Sequence, residues 1–363
     1  MKLNLLEEGV PQDFFSENYA LARSRFKDSV LKAGGKLESL PLTARGPEGE
    51  ALGIDIGWFG SPKPERILLH TSGIHGVEGF AGSAIQLQLI GDLPALPKDS
   101  ALVLVHILNP YGMAWLRRVN EGNVDLNRNF LGRDSYSGVP KAYAMLDPFL
   151  NPKTPPSFEA YRLKLLSLVL RHGRSALLQA VAGGQYEFPK GIFFGGKGVE
   201  EGPRLYQGFL AQRLQGVRQI VWIDVHTGLG KSGEDSLLVQ NADFERLKTE
   251  FGERVRPLSP SRGPAYAVRG AMESLLPWVA PQAKSSFLTQ EFGTYGNVRV
   301  LGALRAENRW HHYGKGHIDH PSKRDLKEAF FPNSEAWKQR ILARGKNLFE
   351  QALSALTVAE RAF

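Results

Sequence analysis

The chain has 363 residues, 42% of them hydrophobic and 23% charged. That is the composition of a soluble globular protein, with room for a large core and at most about two domains. It contains no cysteine, which excludes disulfides, thiolate metal sites and a thiol nucleophile. The net charge of +8 comes from scattered basic residues with acidic ones among them, which argues against nucleic-acid binding and for a pocket that attracts carboxylates.

Taken in chain order, SENYALARSRFKDSVLKAG (16–34) predicts a helix closed by glycine. ALGIDIGWFG (51–60) and ERILLHTSG (65–73) predict strands, and GFAGSAIQLQLIGDL (79–93) a helix. ALVLVHILNP (101–110) is a buried strand stopped by Pro110. Residues 131–157, rich in Gly, Pro, Ser and Asp, suggest a long surface loop. PSFEAYRLKLLSLVLRHG (156–173) is helical, QYEFPKGIFFGG (185–196) a strand pair or ordered loop, and GPRLYQGFLAQRLQG (202–216) a helix. RQIVWIDVHTG (218–228) and SSFLTQEFGTYG (285–296) are strands, and SEAWKQRILARGKNLFEQALSAL (334–356) is a long amphipathic helix. No repeat, low-complexity tract or linker interrupts them. The alternation predicts an α/β fold: a mixed, largely parallel central sheet sandwiched by helices. No run approaches the ~18 apolar residues of a membrane span. The acidic, proline-broken start MKLNLLEEGVPQDFF lacks a secretory signal pattern. The expected location is cytoplasmic, with no membrane or nucleic-acid partner.

Polar residues collect at the carboxyl ends of the predicted strands: His75 and Glu78 after 65–73, Asn109 after 101–108, Asp224 and His226 at the end of 218–226, Glu291 at the end of 285–291. In an open α/β sheet ligands bind in the crevice outside those ends, so residues far apart in sequence converge. GIHGVEG lacks the Lys and the glycine spacing of a phosphate loop; neither a G-x-S-x-G elbow nor an H-E-x-x-H helix occurs. A metal site remains. His75 and Glu78, three apart, and His226 from a later strand form a two-His, one-Glu set suited to catalytic zinc. His70 and His106 lie inside strands and are expected as core or edge histidines. The cluster His311, His312, His317 and His320 is expected to cap a helix or line a loop.

GIHGVEGF together with RVNEGNVDLNRNF resembles the zinc carboxypeptidases, the carboxypeptidase A/B-like metallopeptidases, in a bacterial branch usually labelled a domain of unknown function. The resemblance spans about residues 45–310. It implies one zinc per chain on His75, Glu78 and His226, with Asp125 holding the outer nitrogen of the first histidine. It implies Glu291 as general base, Arg118 as the oxyanion-stabilising arginine, and Asn127 and Arg128 as the grip on the substrate's terminal carboxylate. Tyr266 falls where the family has a mobile capping tyrosine. Ala271, Met272 and Glu273 are then candidates for side-chain specificity.

The implied activity is that of a metallocarboxypeptidase acting on a small peptide or acyl-amino-acid substrate with a free carboxylate. HGVE and DVHTG also resemble the N-acyl amino acid deacylases of the aspartoacylase and succinylglutamate desuccinylase kind. Their β-rich C-terminal domain contrasts with the helical C-terminus read here, which favours the peptidase. A non-catalytic binding module would have lost a ligand or the base, and all four positions are filled. The expected organisation is one such domain over 1–363, with 1–45 and 311–363 as peripheral helical extensions.

Overall fold

Strand β3 (Arg66–Ser72) is apolar on both faces and buried over nearly its whole length, as a strand covered by helices on each side must be. A computed structural model of the chain describes residues 13–173, 177, 183–258 and 268–358. Before β3 come helix α1 (Tyr19–Lys32) and strands β1 (Lys36–Arg45) and β2 (Ala51–Gly60); after it come α2 (Gly79–Gly91), β4 (Ser100–His106) and the short α3 (Pro110–Ala114). The chain continues through α4 (Lys141–Leu150), α5 (Tyr161–His172) and α6 (Glu201–Arg213). Then follow β5 (Gln219–Ser232), β6 (Asp235–Val239), α7 (Phe244–Phe251), β7 (Val255–Pro257), the short α8 (Leu276–Val279) and β8 (Lys284–Gly293). Helices α9 (Asn297–Tyr313), α10 (Pro321–Phe330) and α11 (Glu335–Val358) close it.

The eight strands form one sheet in the order β1-β2-β4-β3-β5-β8-β6-β7. Its central four strands are parallel, β2 runs antiparallel to β4, and β6 antiparallel to β8. This is the mixed, largely parallel sheet expected from the sequence. Strand alternation sends Ile67, Leu69 and Trp222 to one face and Leu68, Val221 and Ile223 to the other. Helices α1, α2 and α11 cover the second face; α6 and α8 cover the first.

Two expectations are corrected. The stretch 131–157 is not wholly loop: α4 forms within it because Tyr143, Leu146 and Leu150 share a helical face and are buried. The segments outside the motif frame are not simply peripheral helices. Residues 36–45 are strand β1, paired antiparallel with β2, and α11 buries Trp337, Ile341, Leu348 and Phe349 in the main core. Among the described residues no helix is long and apolar enough to cross a membrane.

Candidate metal centre

β3 delivers the chain to a turn at Gly73, which has φ +68°, a conformation favourable only to glycine. A single 3-10 turn (Gly76–Glu78) then leads into α2. Its backbone is tied to the loop after α3 by Gly76 N–H to Arg118 O and Val77 N–H to Arg117 O, both 3.0 Å. A Cβ on Gly76 would lie 2.0 Å from the Gly112 carbonyl carbon, so this close approach needs glycine. The turn thereby points His75 and Glu78 the same way, as the sequence predicts.

His226 arrives from β5. Its register partner on parallel β8 is Glu291, so the two stand side by side on the sheet. Ligand atoms of His75, Glu78 and His226 all lie within 4.8 Å of one another, and all three residues are buried. His75 Nδ1 is 2.8 Å from Glu78 Oε1, and His226 Nδ1 is 3.3 Å from Glu78 Oε2. The outer nitrogens are held by aspartates: His75 Nε2 lies 3.1 Å from Asp125 Oδ1, and His226 Nε2 lies 2.7 Å from Asp224 Oδ2.

Such carboxylates fix the ring tautomer and leave the inner nitrogen's lone pair for a cation. Two imidazole nitrogens so backed, and one carboxylate held by Arg118 and the Thr227 amide, suit zinc better than calcium or magnesium, which prefer all-oxygen sites. The charges agree. Burial pushes the Glu78 carboxyl upward, but the facing His75 and His226 hold it below the usual carboxylate range. Burial disfavours charge on His226, yet Asp224 and Glu78 hold its pKa well above normal. The centre draws in positive charge, and a metal ion would take the place of that proton.

Arg118 packs across the same edge. Its Nε donates to Asp125 Oδ2 (3.1 Å) and Nη1 to Glu78 Oε1 (3.0 Å), while Nη2 lies 2.7 Å from His75 Nε2. Asp125 is fully buried; burial raises its pKa, but Arg118, Arg128 and His75 outweigh this and hold it well below normal. Burial raises Glu291 to about 7 against the lowering influence of His226, with Glu78 adding to the rise. The amide of Leu229 donates to its Oε1 at 2.8 Å.

A cavity of about 940 Å³ opens onto the centre, lined at that end by His75, Glu78, Arg118, Arg128, His226 and Glu291. Asn127 is turned elsewhere: its Oδ1 accepts from Met272 N–H (2.9 Å), and it does not line this cavity. Met272 is packed in the core, and the Glu273 carboxylate accepts from Gln240, so these two specificity candidates also face away. Tyr266 lies outside the described residues. His320 caps α10, accepting from Ser322 N–H, and stacks on Trp310 at 3.7 Å between ring centroids. That is the capping role expected for part of the histidine cluster. His70 and His106 are buried within strands, also as expected.

Two residues of the site escaped the sequence reading of roles. Asp224 was legible only as a polar strand end, though a residue two before a strand ligand shares its face. Phe193 sits at φ +58°, unusual for a bulky side chain, with its ring 5.3 Å from the Arg118 guanidinium and 5.9 Å from that of Arg128. No motif in GIFFGG announces it.

An α/β protein with a mixed sheet and a buried His-Glu-His centre beside a third carboxylate: that is the class the fold and site define. The chain belongs to the family described as protein of unknown function DUF2817, whose model matches residues 15–344, in keeping with the branch the motifs suggest. No curated protein matches it. Among solved structures it is similar to carboxypeptidase A from Helicoverpa armigera (13% identity, 87% of this chain and 75% of that one, TM-score 0.44). It is also similar to bovine thrombin-activatable fibrinolysis inhibitor in complex with tick carboxypeptidase inhibitor (12% identity, 95% and 98%, TM-score 0.48). A third likeness is to an aspartoacylase family protein from Mesorhizobium loti (15% identity, 77% and 67%, TM-score 0.35). These superpositions are loose, and the functional reading rests on the site's own residues.

Proposed function

We propose that the chain is a zinc-dependent hydrolase of the metallocarboxypeptidase kind, cutting the amide bond that joins a terminal amino acid to the rest of its substrate. The observation that supports this most is the position of Glu291, a buried carboxyl on the cavity wall at the register position beside His226. A structural metal site needs no such group. Zinc held by His75, Glu78 and His226 would polarise the scissile carbonyl and make water a competent nucleophile at neutral pH. Glu291 takes the proton of the attacking water and returns it to the leaving nitrogen, the work of a general base. The Leu229 amide keeps its carboxyl aimed. Arg128, buried on the cavity wall, offers a planar fork to a substrate carboxylate. Arg118 shares Glu78 Oε1, so a cation taking that oxygen would free its guanidinium for the oxyanion.

The test is zinc content together with amino-acid release from a panel of peptides, acyl-amino acids and C-terminally amidated peptides. Wild type is expected to hold one zinc and to spare the amidated substrates. Glu291→Gln should keep zinc and lose roughly 10²- to 10⁴-fold in turnover. Hydrolysis by that variant at the wild-type rate would remove Glu291 from the reaction.

A further inference from the structure

The cavity that opens on the metal centre changes character with distance from it. Among the described residues its acidic lining is limited to Glu78 and Glu291, both at the centre. Away from the centre its wall is mainly aliphatic, with Leu146 and Leu150 from α4, Leu165 and Val169 from α5, and Leu301 and Leu304 from α9, beside the polar side chains of Arg162, Asn297 and Arg299. Helix α5 has no buried residue. Leu168 and Val169 pack in part against Tyr143, Leu146 and Leu150, whereas Leu165 and Leu166 line the open volume, and apolar surface left in water costs about 25 cal/mol for each Å². About 940 Å³ is at the large end of small-molecule sites and exceeds what one amino-acid side chain fills.

The direction of the cavity is also informative. It is built from residues after Glu291 in the chain, from Gly296 to Leu304, and from Thr227 to Leu229; no described residue of 268–290 lines it. It therefore lies apart from Ala271, Met272 and Glu273. Arg118 and Arg128 lie at the polar end, where an amino-acid carboxylate would be neutralised.

We infer that this cavity binds the aliphatic acyl chain of an N-acyl amino acid, with the amino acid's carboxylate at Arg128. The bond cut is then the amide between chain and amino acid, and water supplies the oxygen and hydrogens of the two products, a fatty acid and a free amino acid. The cleavage, though not the binding, rests on the hydrolase reading above.

Binding is measured by calorimetry on zinc-loaded Glu291→Gln protein, with N-acetyl-, N-octanoyl- and N-dodecanoyl-glycine below their micelle concentrations. Affinity should rise about fourfold per methylene until the cavity is full. Leu165→Asp and Leu301→Asp should each erase most of that gain and leave N-acetylglycine binding unchanged. Leu165 is only partly buried, and circular dichroism checks that each variant keeps its fold. Equal affinity for the acetyl and dodecanoyl compounds overturns the inference. So does a chain-length gain that survives both substitutions, which would place the chain on the exposed stripe of Leu163 and Leu170 instead. Tight, leucine-dependent binding of dodecanoylglycine without wild-type hydrolysis supports the chain site and defeats the hydrolase reading. Hydrolysis of dipeptides with no chain-length preference does the reverse.

Discussion

Asp224 and His226 are two residues apart on β5 and so share a face of the sheet, which lets the Asp224 carboxylate reach back to His226 Nε2. The other carboxylate oxygen accepts from Thr71 Oγ1 at 2.7 Å, and Thr71 in turn accepts from Trp222 Nε1 at 3.0 Å. The imidazole is thus positioned by a buried chain anchored in two neighbouring strands. Removing the charge of such a carboxylate commonly costs a metal site tenfold to a hundredfold in affinity. Asp224→Asn is accordingly expected to weaken zinc binding by about 10- to 100-fold, read by competition with a chromophoric chelator, while the metal-free protein keeps its circular dichroism. Unchanged zinc affinity would make Asp224 a fold residue only. The three ligands were legible in sequence because strand ends converge by topology. Asp125 was legible only through its motif. Phe193 was not legible, because its place depends on a left-handed backbone conformation that no local pattern announces.

At the scale of elements, the buried central strands were readable and α9 was not, for one physical reason. β3 and β4 bury apolar residues on both faces, so they show as hydrophobic runs. α9 buries Arg305, Glu307, Asn308 and Arg309, so its inner face looks like a solvated one. Those groups are compensated. Arg305 Nε donates to the Phe149 carbonyl at 2.5 Å, Arg309 Nε to that of Thr154 at 3.0 Å, and both guanidiniums pair with Glu159. In this way α9 fastens the segment that carries α4 and α5 over the cavity. Deeper in, Glu307 Oε1 accepts from Arg117 Nε (2.9 Å) and Lys323 Nζ (2.7 Å), both cations fully buried. Burial raises the Glu307 pKa, but those two cations win and bring it to about 2. Glu307→Gln would leave two buried cations without their shared anion, at a cost of about 3–5 kcal/mol. Denaturant unfolding should show a lower midpoint at unchanged slope. Glu159→Gln, whose carboxylate is partly solvated, should cost far less; equal losses from the two would refute this ranking.

For the molecule as a whole, the parallel centre of the sheet followed from the helix–strand alternation, whereas the strand order and the edges did not. β1 shows only half-exposed alternation, and β6 and β7 are five and three residues long, too short to stand out from loops. Two histidines inside the sheet couple the whole fold to pH. His70 on β3 takes a hydrogen bond from Gln86 at its Nδ1 (3.3 Å), and His106 on β4 pairs with Ser83 Oγ (2.9 Å) and stacks on Phe26. Burial, outweighing the pull of Asp224 on His70 and of Asp55 on His106, lowers each pKa to about 4. In the unfolded chain each returns to the ordinary histidine value of about 6.5. Above that value neither state is protonated and pH has no hold through these groups. As pH falls from 6.5 toward 4, the unfolded state binds protons that the folded state refuses, so stability drops. The limiting slope is about 1.4 kcal/mol per pH unit for each histidine. Unfolding free energies of wild type and of His106→Asn at pH 7 and pH 5 isolate the effect, because other titrating groups cancel in the difference. The variant starts less stable, having lost the ring packed on Phe26, but should lose about 1–2 kcal/mol less than wild type over that interval. Parallel losses in the two proteins would mean that His106 takes up a proton as readily within the sheet as in the unfolded chain.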